Sequence, residues 1–149
     1  MTYAAETEVP ISQTRQEIER MLESVGATSF GYLAEPGKAL IAFQFNGMLV
    51  RFVLPLPGLK AYELNASKRL RNQKDQNSAQ AKDHRSRWRA LGLGIKAKLV
   101  FVESGIRTFE QEFLADFVMP NGKTLGDSAI PQLAEAVKSG RMPQLTIGN

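Results

Sequence analysis

ALIAFQFNGMLVRFVL, residues 39–54, is two apolar runs joined by Asn46-Gly47. Both residues of a two-residue hairpin turn must accept positive φ, which Asn and Gly do with least strain, so the stretch predicts an antiparallel hairpin. Upstream, TSFGYL (28–33) is a third strand-like run and ends in the turn AEPGK. Downstream, Pro55 and Pro57 cannot donate to a ladder and end the last strand. Before the strands, Ile18, Met21, Leu22 and Val25 recur at helical spacing. Thr14, with Glu17 three residues on, predicts a capping box for that helix, and Gly26 a stop. The order helix, strand, strand, strand predicts a small antiparallel meander with Arg15's helix across one face.

Residues 58–80 lose this periodicity. NASKRLRNQKDQNSAQ (65–80) is rich in Asn, Gln, Lys and Arg, and reads as a long mobile loop or the frayed start of the next helix. A long helix is expected from near Ala79 to about Ser104, with Gly105 as its cap. Trp88, Leu91, Ile95, Leu99 and Val102 form one apolar face. Lys82, Arg85, Arg89 and Lys96 make an adjacent basic stripe, and Arg87 and Lys98 flank the other side. Leu93, Val100 and Phe101 lie off the main face, so the second half of the helix is deeply buried or shared with another subunit. Gly92 and Gly94 each cost about 1 kcal/mol relative to Ala in a helix interior. A close approach by another helix is the simplest offset, and a homodimer through the long helix is expected.

Thr108 with Gln111 makes a second capping box, opening a short helix with Phe109, Phe113, Leu114 and Phe117 inside. MPNGKT is a tight turn, and a last helix runs from about Ser128 to Lys138, stopped by Gly140. The first ten residues are expected to fray, and RMPQLTIGN (141–149) to dock or fray. The fold class is therefore α+β in one domain, 1–149. Helix plus meander occupy 11–57, a basic mobile loop 58–80, and a helical part 81–149.

The chain has 149 residues, enough for one domain that buries about 70% of its unfolded surface. No apolar run approaches the ~18 residues that suggest a membrane span. MTYAAETEVP has neither the basic nor the apolar region of a secretion signal. Without cysteine there is no disulfide, thiol nucleophile or Cys-based metal site. The net charge of +4 is unevenly spread. Between Lys68 and Lys98 lie ten Lys or Arg against two Asp, a net +8, which leaves −4 for the rest. Such asymmetry suggests a polyanionic partner; a solvated helix face beside a basic loop is the bland alternative.

Catalytic motifs are lacking. His84 is the only histidine, whereas nitrogen-built zinc sites need two or three. Asp83, His84 and Ser86 are chain neighbours that point in different directions on a helix, so they form no triad. Glu103, Glu110, Glu112 and Asp116 gather near a helix junction and read as a solvated acidic face rather than a metal site. Gly92-Leu93-Gly94 lies inside the long helix, not after a strand, so it is no phosphate-binding loop. Trp88, between Arg87 and Arg89, is read as core, with a base-stacking role as the alternative. Phe43, Phe45 and Phe52 pose the same choice.

RSRWRALGLGIKAKLVFVESGIRTFEQEFLA (85–115) followed by MPNGKTLGD (119–127) resembles a group of small proteins of tailed bacteriophages and prophages. The resemblance rests on Arg87 to Leu91, Ile95 to Leu99, Val102 to Ile106, Thr108 to Glu110 and the turn Pro120 to Gly122. RFVLPLP (51–57) also fits, so about the last two thirds of the chain is covered. Gly92 and Gly94 depart from the pattern, where larger aliphatics are expected. The resemblance implies a mobile-element origin and the cytoplasm of a bacterial host; it implies no activity.

The expectation is a non-enzymatic accessory protein without metal or cofactor, binding nucleic acid with little sequence specificity. Lys68, Arg69, Arg71, Lys74, Lys82, Arg85, Arg87 and Arg89 are the candidate contacts. The alternative is a protein-interaction module, such as an inhibitor of a host defence system, that meets an acidic protein surface or a phosphorylated small ligand.

Overall fold

The computed structural model describes residues 7–143. The expectations for the first six residues and for the tail beyond 143 fall outside them. The architecture is α+β, with one helix, a three-stranded antiparallel sheet, and a helical half built on one long helix.

Helix α1 spans Ile11–Glu23, β1 Thr28–Glu35, β2 Lys38–Phe45 and β3 Met48–Pro55. The strands pair in the order β1-β2-β3. The β2–β3 turn holds Asn46 at φ 49° and Gly47 at φ 77°, as the Asn-Gly pair predicts. Across the sheet, Ile41 faces Tyr32 and Phe52, and Phe43 faces Val50. That face is the core side. Burying each such side chain contributes roughly 1.5–3 kcal/mol. Leu33, Leu40 and Val53 form a row on the opposite face.

The expected capping box at Thr14 does not form. Pro10, fixed in an extended conformation, precedes a helix that already begins at Ile11, and it caps that helix without a side-chain hydrogen bond. Thr14 is fully buried one turn in, and its Oγ1 finds no partner.

Helix α2 spans Gln73–Glu103, starting six residues earlier than expected. It therefore takes in part of the segment read as a loop. The reason is Asn72, whose side chain caps the helix by accepting from the Asp75 N–H at 2.8 Å. A single 3-10 turn, Leu59–Tyr62, fills the start of the same segment. Trp88, Ile95 and Leu99 are buried, as their spacing predicts.

Gly92 also explains itself. A Cβ there would sit 3.3 Å from the Thr14 Cγ2, so α1 lies against the bare backbone of α2. The close neighbour is this chain's own first helix rather than a second subunit. At Gly94 a Cβ would meet nothing within 4 Å. Val100 and Phe101 remain exposed.

The Thr108–Gln111 capping box is present with both its hydrogen bonds, and it opens the short α3, Phe109–Glu112. A 3-10 turn, Leu114–Asp116, follows. Phe109, Phe113 and Phe117 close the core over Phe43, with Phe109 and Phe113 stacked at 4.2 Å. Leu114, expected inside, is exposed because the 3-10 turn rotates it out. Val118 then donates to the Leu49 carbonyl at 2.8 Å, so the chain runs briefly along the edge of β3. Helix α4, Leu125–Ser139, starts three residues earlier than expected, since Thr124 caps it; Gly140 ends it in the left-handed conformation. Only Gly126 of α4 is buried.

Candidate polyanion-binding surface

The eight candidate cations divide by what their side chains meet. Loop 63–72 is tied by its own polar groups. The Asn65 Oδ1 accepts from the N–H groups of Ser67 and Arg69 at 2.9 and 3.0 Å. Arg71 donates through Nη1 to the carbonyls of Leu64 at 2.9 Å and Tyr62 at 3.2 Å. Arg71 thus staples the loop and is not a free contact. Lys68 sits at the tip with φ 61°, and both Lys68 and Arg69 are exposed. Lys74 is exposed on the first turn of α2, where the helix dipole adds positive potential. No described residue forms an ion pair or side-chain hydrogen bond with the side chains of Lys68, Arg69 or Lys74. Lys82 is exposed one helical segment further on.

Arg87 belongs to a structural clamp. Its Nε donates to the Asp83 Oδ2 at 2.8 Å, and its Nη1 to the Pro55 carbonyl at 3.2 Å. The Tyr62 hydroxyl donates to the same Asp83 oxygen. His84 places Nε2 at 2.9 Å from the Pro57 carbonyl, and since a carbonyl only accepts, Nε2 carries the proton. Gln80 donates to that carbonyl at 3.3 Å. Gln80, His84 and Arg87, about one turn apart, therefore hold the segment that leaves β3. Burial pushes the Tyr62 phenol up to about 12, and its bond to Asp83 adds to this. Burial alone would raise the Asp83 carboxyl, but the hydrogen bonds from Tyr62 and Arg87 outweigh it and hold the group below its ordinary value.

Arg85 and Arg89 lie against α1. Arg85 approaches Glu8 at 3.9 Å, with its Nε buried and unpartnered. Arg89 donates to Glu17, and that bond lowers the Glu17 carboxyl below its usual range. Arg71, Arg85, Arg87 and Arg89 are thus engaged by described residues. Apart from Asp83, four residues before Arg87 on the same helix, their partners are main-chain carbonyls or acids distant in sequence, which composition does not reveal.

Two exposed cations escaped the sequence reading as a pair. Arg20 on α1 and Lys96 on α2 line one groove of about 310 Å³, together with Glu17, Met21, Arg89 and Leu93. Their helical positions are plain, but only the α1–α2 contact brings them together.

The aromatic candidates are core. Trp88 is 5% exposed and its ring lies 6.2 Å from that of Tyr32. Phe43 is fully buried, and Phe45 and Phe52 pack against the same cluster. The acidic group is not wholly solvated as expected. Lys98 and Arg107 approach Glu112 at 3.6 and 3.4 Å, and burial raises the half-buried Asp116. Both acids lie where the turn after α3 folds back onto α2. Among the described residues no cluster of acids or histidine is arranged to hold a metal ion, and no helix is long and apolar enough to cross a membrane.

No protein-family model matches the chain, and neither the curated proteins nor the solved structures compared with it give a match.

Proposed function

We propose that the chain is a non-enzymatic accessory protein of a bacteriophage, acting in the cytoplasm of its bacterial host, that binds nucleic acid with little sequence specificity. The observation supporting this is the exposed, unpaired trio Lys68, Arg69 and Lys74 at the positive end of α2. Lys82 adds a further exposed positive charge on α2. Arg71, Arg85, Arg87 and Arg89 contribute field and scaffold rather than direct contacts. Phosphate contacts of this kind grip any sequence, because they read charge and not base edges.

The test is a binding titration over a salt series with duplex and single-stranded oligonucleotides. Each phosphate neutralised on duplex DNA adds a log–log slope of about −0.9. Replacing Lys68, Arg69 and Lys74 together by Gln should flatten the slope by roughly 2 to 3, with the fold intact. Salt-insensitive binding, or none at low salt, would overturn the reading.

A second reading, a protein-interaction module, is favoured by a different surface. Leu33 and Val53 are about half exposed on the outer sheet face, and Ile130, Leu133 and Val137 are exposed on α4. Capture of a host protein that survives nuclease treatment would favour it.

A further inference from the structure

We propose that the groove between α1 and α2 binds the dianionic head of a small phosphomonoester between Arg20 and Lys96. This site goes beyond the nucleic-acid reading. Lys74 and Lys96 are both on α2, separated by ~33 Å at 1.5 Å per residue.

Contacts between α2 and the chain from Glu8 through α1 follow one order. Glu8 meets Arg85, Glu17 meets Arg89, and Arg20 shares a groove with Lys96. The contacts advance together, so the helices run in the same sense and their facing charges form successive levels. At the first two levels an acid from the N-terminal side answers an arginine of α2. At the third level a cation stands where an acid would complete the pattern. No ion pair within 4.0 Å joins Arg20 or Lys96 to any described residue, although the Arg20 charge helps to lower the Glu17 carboxyl.

Two like charges lining one groove repel each other, and an anion between them relieves that repulsion. Glu17 neutralises Arg89, which leaves the groove with a surplus of two positive charges, from Arg20 and Lys96. A dianion matches that surplus. Met21 and Leu93, both half-buried, supply an apolar wall beside the charges. The volume of about 310 Å³ is at the small end for a ligand site and suits a compact amphiphilic anion. A phosphomonoester on a flat organic body satisfies all three conditions. Its source is a free nucleotide or the phosphorylated end of a strand.

Isothermal titration calorimetry of the full chain at low salt tests this. The probes are inorganic phosphate, a nucleoside monophosphate, and one short oligonucleotide with and without a 5′-phosphate. Saturable binding of the monophosphate is expected, weaker by about tenfold or more in the double variant Arg20→Gln/Lys96→Gln, as for loss of charge-assisted hydrogen bonds. Both positions are exposed, so the melting temperature of that variant should match the parent. The triple change at Lys68, Arg69 and Lys74 should leave monophosphate affinity unaltered, which separates failure here from failure of the nucleic-acid reading. Preference for the 5′-phosphorylated oligonucleotide, abolished in the double variant, identifies a strand end; equal binding of the two oligonucleotides identifies a free ligand. No saturable binding of phosphate or monophosphate, or binding unchanged in the double variant, overturns the proposal.

Discussion

Trp88 stands among six Lys or Arg residues between Lys82 and Lys98 yet belongs to the core. Its ring packs near Tyr32, over which the Arg15 guanidinium lies at 4.1 Å. Trp88→Ala should lower stability by about 3–5 kcal/mol in chemical denaturation. Its fluorescence should be blue-shifted, poorly quenched and unmoved by oligonucleotide; red, quenchable emission would place the ring at the surface. The Tyr62–Asp83 pair makes a prediction in pH. Asp83 has a depressed folded-state value, so its contribution is present above the unfolded carboxylate range near ~4 and is lost as pH falls through the folded value. Tyr62 is raised to about 12, so its contribution is present below the unfolded phenol value and is lost as pH rises through 12. Tyr62→Phe should cost about 1 kcal/mol at neutral pH and reduce the alkaline loss by the Tyr62 share, leaving that of the half-buried Tyr32 phenol, read by urea unfolding across a pH series. At this scale the sequence displays the basic residues but not most of their partners. Arg89 answers Glu17 across 72 residues, and Arg71 answers carbonyls of its own loop, so these candidate contacts proved to be scaffold.

The two glycines of α2 separate at the scale of the element. Gly94 has open space where a side chain would go, so Gly94→Ala should stabilise the helix by about 1 kcal/mol, measured as a raised melting temperature. Gly92 touches Thr14, and Gly92→Leu should destabilise by about 1–3 kcal/mol through overpacking. Equal effects at the two positions would contradict the α1 contact. The meander, the Asn-Gly turn and the Thr108 cap were legible because each rests on chemistry local to a few residues. The start of α1 was not. Thr14 and Glu17 have capping-box spacing, but Thr14's methyl is drawn under α2 and Glu17 is drawn to Arg89, and Pro10 opens the helix a turn earlier. The start of α2 was misjudged for a related reason. Gln73 to Ser78 carry no apolar period, and the Asn72 cap outweighs that lack.

Across the whole molecule, apolar surface remains where no described residue covers it. Val100 and Phe101 on α2 are exposed beside Ile106, and the expected dimer would cover them. Sedimentation at micromolar concentration should show a dimer, and Phe101→Glu should shift it to monomer; a monomer in the parent would remove the need for that face. The outer sheet row Leu33, Leu40 and Val53 and the largely unpacked α4 were not foreseen. Period alone does not say which of two faces a small sheet will cover, nor that α4 will bury only Gly126. The crossing of α1 on α2 also has a consequence for synthesis. The residues that answer α1 leave the ribosome some 72 positions later, as the Glu17–Arg89 pair marks. At ~5–20 residues per second that is about 4–14 s. Throughout that interval the 13-residue α1 is a marginal helix, and the side that will meet Gly92 is without its partner. Of the elements that follow α1, only the three strands and one 3-10 turn are complete by then, and the completion of α2 is the moment at which the first helix can acquire its final place.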